Sequence, residues 1–269
     1  MAKLKRLTEV SVYTRNLKLA KEFYTKKVGL AVRSEMKKFD YLQLGTTKGG
    51  RDAGIDIWQP DPSWDRETYE ATSKSVGIVT GIGFLTANLE KTVEQLSSRG
   101  VKVEREGDTM ARIRDPDGNV LFLQQHPRPK ARRAGLQSVG WVTVVSRDAK
   151  RAGQWFKTLG FREMKIPAEE GMEGERFSVY HLGPKGTSIM PFTPVREMYD
   201  APADYDEDMA HVGEDTGIGI EVEDIHGLQT KLLAKGIRFA AKAEKQDWGG
   251  TRARILDPDG NRYMIYEMS

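Results

Sequence analysis

The chain repeats itself. Ala111-Arg112-Ile113-Arg114-Asp115-Pro116-Asp117-Gly118-Asn119 returns, 142 residues later, as Ala253-Arg254-Ile255-Leu256-Asp257-Pro258-Asp259-Gly260-Asn261. A long segment that recurs at a fixed interval marks a duplicated unit. Each half ends just after this element, which predicts two compact domains, residues 1–127 and 137–269, joined by a linker at 128–136. The length of 269 residues suits two domains of about 100–200 residues each.

Each half divides again. Four segments read as an alternating strand, a capping residue, an amphipathic helix and a terminating glycine. The caps are Asn16, Asn88, Asp148 and Asp224, whose side chains accept from free N–H groups of a first helical turn. The stops are Gly29, Gly100, Gly160 and Gly236, suited to the left-handed residue that closes a helix. Cap-to-glycine spacings are 13, 12, 12 and 12 residues. The strands before the caps are Glu9–Thr14, Gly81–Thr86, Trp141–Ser146 and Gly217–Val222. Further short strands follow each glycine, among them Tyr41–Leu44, Ile55–Trp58 and Phe177–Tyr180. Asp-Pro-Asp-Gly-Asn between two apolar runs is a turn. The repeating module is therefore βαβββ, present four times, and the fold class is α+β.

This arrangement resembles the vicinal oxygen chelate superfamily, which includes glyoxalase, bleomycin-resistance proteins and extradiol dioxygenases. Val10-Ser11-Val12, Asn16-Leu17, Phe23-Tyr24, Gly29-Leu30 and the two Asp-Pro-Asp-Gly-Asn turns carry the resemblance. It implies two glyoxalase-like domains, each a pair of modules whose sheets curl into an open cup for a ligand or metal. Fold alone does not fix the chemistry of such a cup.

Strand alternation assigns side chains to the cups, with modules taken to pair within each half. Val10 and Val12, Ile82 and Phe84, Val142 and Val144, and Ile218 and Ile220 face the helices. The first cup then receives Glu9, Ser11, Tyr13, Asp56, Trp58, Gly81, Gly83, Phe122 and Gln124. The second receives Trp141, Ser188, Met190, Gly217, Gly219, Glu221, Met264 and Tyr266, with His181 at its wall. Metal-binding members of the superfamily usually carry His or Gln on a module's first strand and Glu on its last. The matching positions here are Glu9, Asp56, Gly81 and Phe122 in one half, and Trp141, Ser188, Gly217 and Met264 in the other. A catalytic divalent ion wants about three protein ligands and an open position. The expectation is no metal and no cofactor, with a divalent ion held by Glu9 and Asp56 as the alternative.

The glycines of Gly81-Ile82-Gly83 and Gly217-Ile218-Gly219 suggest space for a ligand against aromatic walls, unless those aromatics fill the cups as a second core. Glu9 and Asp56 act as an acid–base pair if they meet, or enter structural ion pairs with Arg112 or Arg114. The loops beginning at Pro60 and at Glu197, the latter with eight acids and no Lys or Arg up to Asp215, read as lids or as solvated connectors.

Residues 1–134 hold 25 Lys and Arg against 17 Asp and Glu, and the second half is acidic. That asymmetry fits docking of the halves, or of two copies in a homodimer. The basic charges are scattered, so nucleic acid is not an expected partner, and the run Arg128–Arg133 reads as solvated linker. No apolar stretch reaches a membrane span, the first residues lack a secretory apolar core, and there is no cysteine. A cytoplasmic location is expected. Three functions stay open: metal-independent binding of a small, partly aromatic or cationic molecule; a lyase, isomerase or dioxygenase using Glu9 and Asp56; and a structural module with filled cups.

Overall fold

The computed structural model describes residues 2–127, 133–167, 176–199 and 201–268. Residues 128–132 of the basic run lie outside these. The first module contains β1 (Lys3–Tyr13), α1 (Leu17–Glu22), β2 (Ala31–Met36), β3 (Tyr41–Gly45) and β4 (Gly54–Trp58), with helix α2 (Arg66–Lys74) after it. The second has β5 (Val79–Thr86), α3 (Leu89–Ser98), β6 (Val103–Glu106), β7 (Met110–Arg114) and β8 (Val120–Gln125). The third has β9 (Leu136–Val145), α4 (Ala149–Leu159), β10 (Arg162–Pro167), β11 (Arg176–His181) and β12 (Ser188–Phe192), followed by α5 (Pro202–Ala210). The fourth has β13 (Asp215–Glu223), α6 (Ile225–Ala234), β14 (Arg238–Lys245), β15 (Thr251–Leu256) and β16 (Arg262–Glu267).

All four caps accept from the third residue of their helices, at 2.9–3.1 Å. All four glycines have positive φ. The odd spacing of 13 has a structural counterpart: only in the first module does the helix continue as π-helix, over Phe23–Val28. One surplus residue is what a wider turn absorbs.

The sheets are not paired as expected. One eight-stranded sheet runs β14-β15-β16-β13-β1-β4-β3-β2, and the other β10-β11-β12-β9-β5-β8-β7-β6. The first module thus shares its sheet with the fourth, and the second with the third. The exchange rests on strand length. In β1, Glu9–Tyr13 pairs in parallel with Gly54–Trp58 of β4, while the preceding residues extend the strand back to Lys3. In β9, residues Leu136–Val142 pair with β5. Those extensions, rich in Lys, Arg, Gln and Ser, lie outside the short apolar runs that signal strands.

The chain forms two compact bodies, Glu9–Val142 and Thr143–Ser269 with Met1–Thr8. In the first, the Asp-Pro-Asp-Gly-Asn turn is a staple. Asp115 Oδ1 accepts from the N–H groups of Asp117 and Asn119, both 2.9 Å. Asn119 donates to the Tyr13 carbonyl at 2.9 Å and accepts from Gly77 N at 2.8 Å. In the other body, Asn261 repeats this with the Val145 carbonyl and Gly213 N. The cores alternate as read: Val10, Val12, Ile82, Phe84, Val142, Ile218 and Ile220 are buried.

Two segments read as loops contain helices. Asp65 caps α2 by accepting from Thr68 N at 2.9 Å, and Pro202 starts α5. Helix α2 buries none of its residues, so it left no apolar periodicity to read.

Candidate functional site

The site lies in the body Glu9–Val142, on the face of β1, β3 and β4 turned away from the helices. Parallel register sets Ser11 beside Asp56 and Tyr13 beside Trp58, and antiparallel register sets Gln43 opposite Asp56 and Tyr41 opposite Trp58. Asp56 is 1% exposed. Its Oδ2 accepts from the Tyr41 hydroxyl at 3.1 Å and its Oδ1 from Gln43 Nε2 at 2.9 Å. The Glu9 and Asp56 carboxyls hydrogen-bond each other.

Burial raises the Glu9 pKa from 4.5 to about 6, opposed by the bond from Asp56. Asp56 is driven well above its ordinary value, first by burial and then by the Glu9 charge, against the donors Gln43 and Tyr41. Two carboxyls in one poorly solvated place cannot both ionise cheaply, so the pair shares a proton. Asp56 is the more strongly raised of the two, and Glu9 is partly exposed.

The aromatic side chains continue from this pair. The rings of Tyr41 and Trp58 lie 4.6 Å apart, and Trp64, in the loop before α2, sets its edge to Trp58 at 6.4 Å. The loop from Pro60 therefore packs on the site through Trp64. Sequence reading missed Tyr41, Gln43 and Trp64. Alternation along β3 would have placed Tyr41 and Gln43 beside Asp56 once β3 and β4 were paired.

Both Asp56 oxygens accept from protein donors. Among the described residues no three His, Asp or Glu side chains gather as a metal cluster. Of the two arginines expected to pair with these carboxyls, Arg112 is held instead by Glu104 at 2.7 Å and Glu106 at 3.1 Å.

Other predicted residues have different surroundings. Gly81 and Gly217 take φ of +67° and +64° where the register of β5 and β13 shifts, so a bulged backbone requires them. Gly83 lies between Phe122 and Trp141 in register, and a Cβ there would sit 2.0 Å from Trp141 Cε2. The space that Gly83 clears is filled by Trp141. Gln124, also on β8, stands opposite Met110. In the other body Glu221 is bound by Lys5 and, at 2.9 Å, by Arg6. The Tyr266 hydroxyl donates to Thr8 Oγ1 at 2.9 Å, which donates to the Gly219 carbonyl at 3.1 Å. Met264 follows Gly219 in register, Met190 is partly exposed on β12, and His181 on β11 stands opposite Arg162. A cleft of about 640 Å³ lies beside Asn88, Leu89, Arg105 and Asp108.

The fold and motifs have counterparts among known proteins. The model of the Glyoxalase/Bleomycin resistance protein/Dioxygenase superfamily matches residues 6–123 and again 138–265, and the chain belongs to that family. Glyoxalase I from Zea mays is similar in structure, with a TM-score of 0.67 at 15% identity over 97% of this chain and 92% of that one. A putative dioxygenase from Bacillus subtilis gives a TM-score of 0.64 at 13% identity, covering 99% and 86%. Identities so low show the fold alone. The uncharacterized protein YetH of Bacillus subtilis is 28% identical over 133 residues, which are 49% of this chain and 99% of YetH. No helix among the described residues is long and apolar enough to cross a membrane.

Proposed function

We propose that the chain binds a small organic cation with a planar or aromatic part, without a metal ion, at the Glu9–Asp56 pair. The observation that carries this is the continuity of one ionisable carboxylate with the aromatic wall of Tyr41, Trp58 and Trp64. With Asp56 protonated, the pair presents a single negative charge through Glu9, and aromatic faces attract a cation by about 0.5–2 kcal/mol. The titration probe is benzylamine, with benzyl alcohol as its neutral counterpart, on protein treated with a chelator. Benzylamine binding that weakens at least tenfold in Glu9→Gln supports the proposal. Equal affinity for the alcohol, or binding only after a divalent ion is restored, refutes it.

A second reading is favoured by one observation, the Glu9 pKa of about 6 beside a proton-holding Asp56. A base poised near neutrality next to an acid suits proton transfer in a lyase or isomerase. Product formation that rises through pH 6 and disappears in Glu9→Gln would favour this enzyme. Binding without turnover favours the first reading.

A further inference from the structure

The two copies of the repeated motif differ in how their first arginine is partnered. On β7, Arg112 is sealed by Glu104 and Glu106 of the neighbouring strand β6. Its twin on β15 is Arg254, and the residue opposite it on β14 is Ala241. Among the described residues Arg254 forms a salt bridge with Asp215 alone, at 3.8 Å. Arg252, two residues earlier and on the same face, makes no hydrogen bond or salt bridge among the described residues. It is partly buried, and burial and the charge of Arg254 lower its pKa, against Asp215 and Glu244.

The rest of this face is apolar or already satisfied. Arg252 stands opposite Tyr266, and Arg254 opposite Met264, which in turn neighbours Gly219. Trp248, in the turn before β15, presents its ring edge-on to Tyr266 at 6.1 Å and is 36% exposed. Glu221, next to Tyr266 in register, is taken by Lys5 and Arg6 and does not serve Arg252. Glu244 lies opposite Arg252 in register without closing a salt bridge.

We propose that this face of β15 and β16 is a subsite for a small aromatic carboxylate, with Arg252 taking the carboxylate and Trp248 and Tyr266 flanking the ring. A guanidinium matches a carboxylate with two parallel hydrogen bonds, and a partly desolvated arginine that closes no salt bridge is the group that gains most from one. Aromatic edges and faces then favour a ring over a bare inorganic anion. The site lies wholly within the body Thr143–Ser269 with Met1–Thr8 and is independent of the first-module proposal.

Calorimetric titration of the full chain with sodium benzoate tests this, with benzyl alcohol and inorganic phosphate as separate arms. Benzoate is expected to bind at millimolar or lower concentration. Arg252→Gln should weaken it at least tenfold and Arg252→Lys less, whereas Arg112→Gln leaves it unchanged. Glu244→Gln should tighten it, because the opposing carboxylate competes for Arg252; that arm decides the matter if the Arg252 variants do not fold. Absent benzoate binding, equal binding of benzyl alcohol or phosphate, or Glu244→Gln without effect overturns the assignment. So does an Arg252→Gln variant that folds and binds as the native chain does.

Discussion

Replacing Glu9 by Gln isolates the energetic signature of the acid pair. In the unfolded chain Glu9 ionises near its ordinary value of 4.5, and in the fold near 6. Between these values the folded state binds more protons than the unfolded one, so stability falls as pH rises. Below 4.5 the carboxyl is neutral in both states and there is no cost. Well above 6 the full difference applies. At 1.36 kcal/mol per pH unit, reduced because Glu9 is partly exposed, it is about 1–2 kcal/mol. Gln is nearly isosteric, still accepts from Asp56 and never ionises. The variant should therefore be more stable than the native chain at pH 8 by about 1–2 kcal/mol, roughly 2–8 °C in melting temperature for a chain of this size. At about pH 3, where the carboxyl is neutral in both states, the difference should vanish. Urea unfolding of both proteins at the two pH values is the assay, since all other titrating groups cancel in the comparison. Equal stability at pH 8, or a loss of stability there, would refute the claim that the fold holds a penalised carboxylate. Removing the Glu9 charge also removes the second cause of the Asp56 shift, so Asp56 should titrate lower in the variant by carbon-detected NMR. A group kept at a cost to stability is what a binding or catalytic role explains.

Binding of benzylamine should weaken about tenfold per pH unit below 6, as Glu9 takes up its proton; a flat affinity profile between pH 4.5 and 8 would remove Glu9 from the site. Gly83→Ala pushes a methyl into the Trp141 indole and should destabilise by roughly 1–3 kcal/mol, an effect that a double-mutant cycle with Trp141→Ala reduces. Additive effects in that cycle would show that Trp141 does not occupy the cleared space in solution. Asn119→Ala leaves the Tyr13 carbonyl and Gly77 N–H without their partner and should cost about 2 kcal/mol or more, with Asn261→Ala costing a similar amount in the other body. Chemical denaturation distinguishes this from a neutral surface change.

Much of the architecture was legible because it is written in local chemistry. Four Asx caps and four closing glycines act within one helical turn, so they read the same in sequence and in structure. Even the surplus residue before Gly29 had a local outcome, the π-helical stretch. The Glu9–Asp56 pair was also legible, since alternation along two adjacent strands of one module places both on one face. The glycines misled. Gly81 and Gly217 serve backbone bulges, and Gly83 clears room for a tryptophan 58 residues away in sequence.

Pairing between modules could not be read, because each module has the same pattern and alternation along a strand says nothing about which strand lies beside it. The exchange depends on polar extensions of β1 and β9 that resemble loops until a neighbour satisfies their hydrogen bonds. Tyr41 and Gln43 joined the site only when β3 lay beside β4, and Arg252 became conspicuous only when its sheet neighbours were known and neither Glu221 nor Glu244 closed a salt bridge with it. The sequence by itself determined the modules and their number and set Glu9 and Asp56 on one face, all consequences of spacing along the chain; that the two carboxyls meet was not among them. Tertiary structure decided which modules share a sheet and which charges find a partner, because both depend on contacts between residues far apart in the chain.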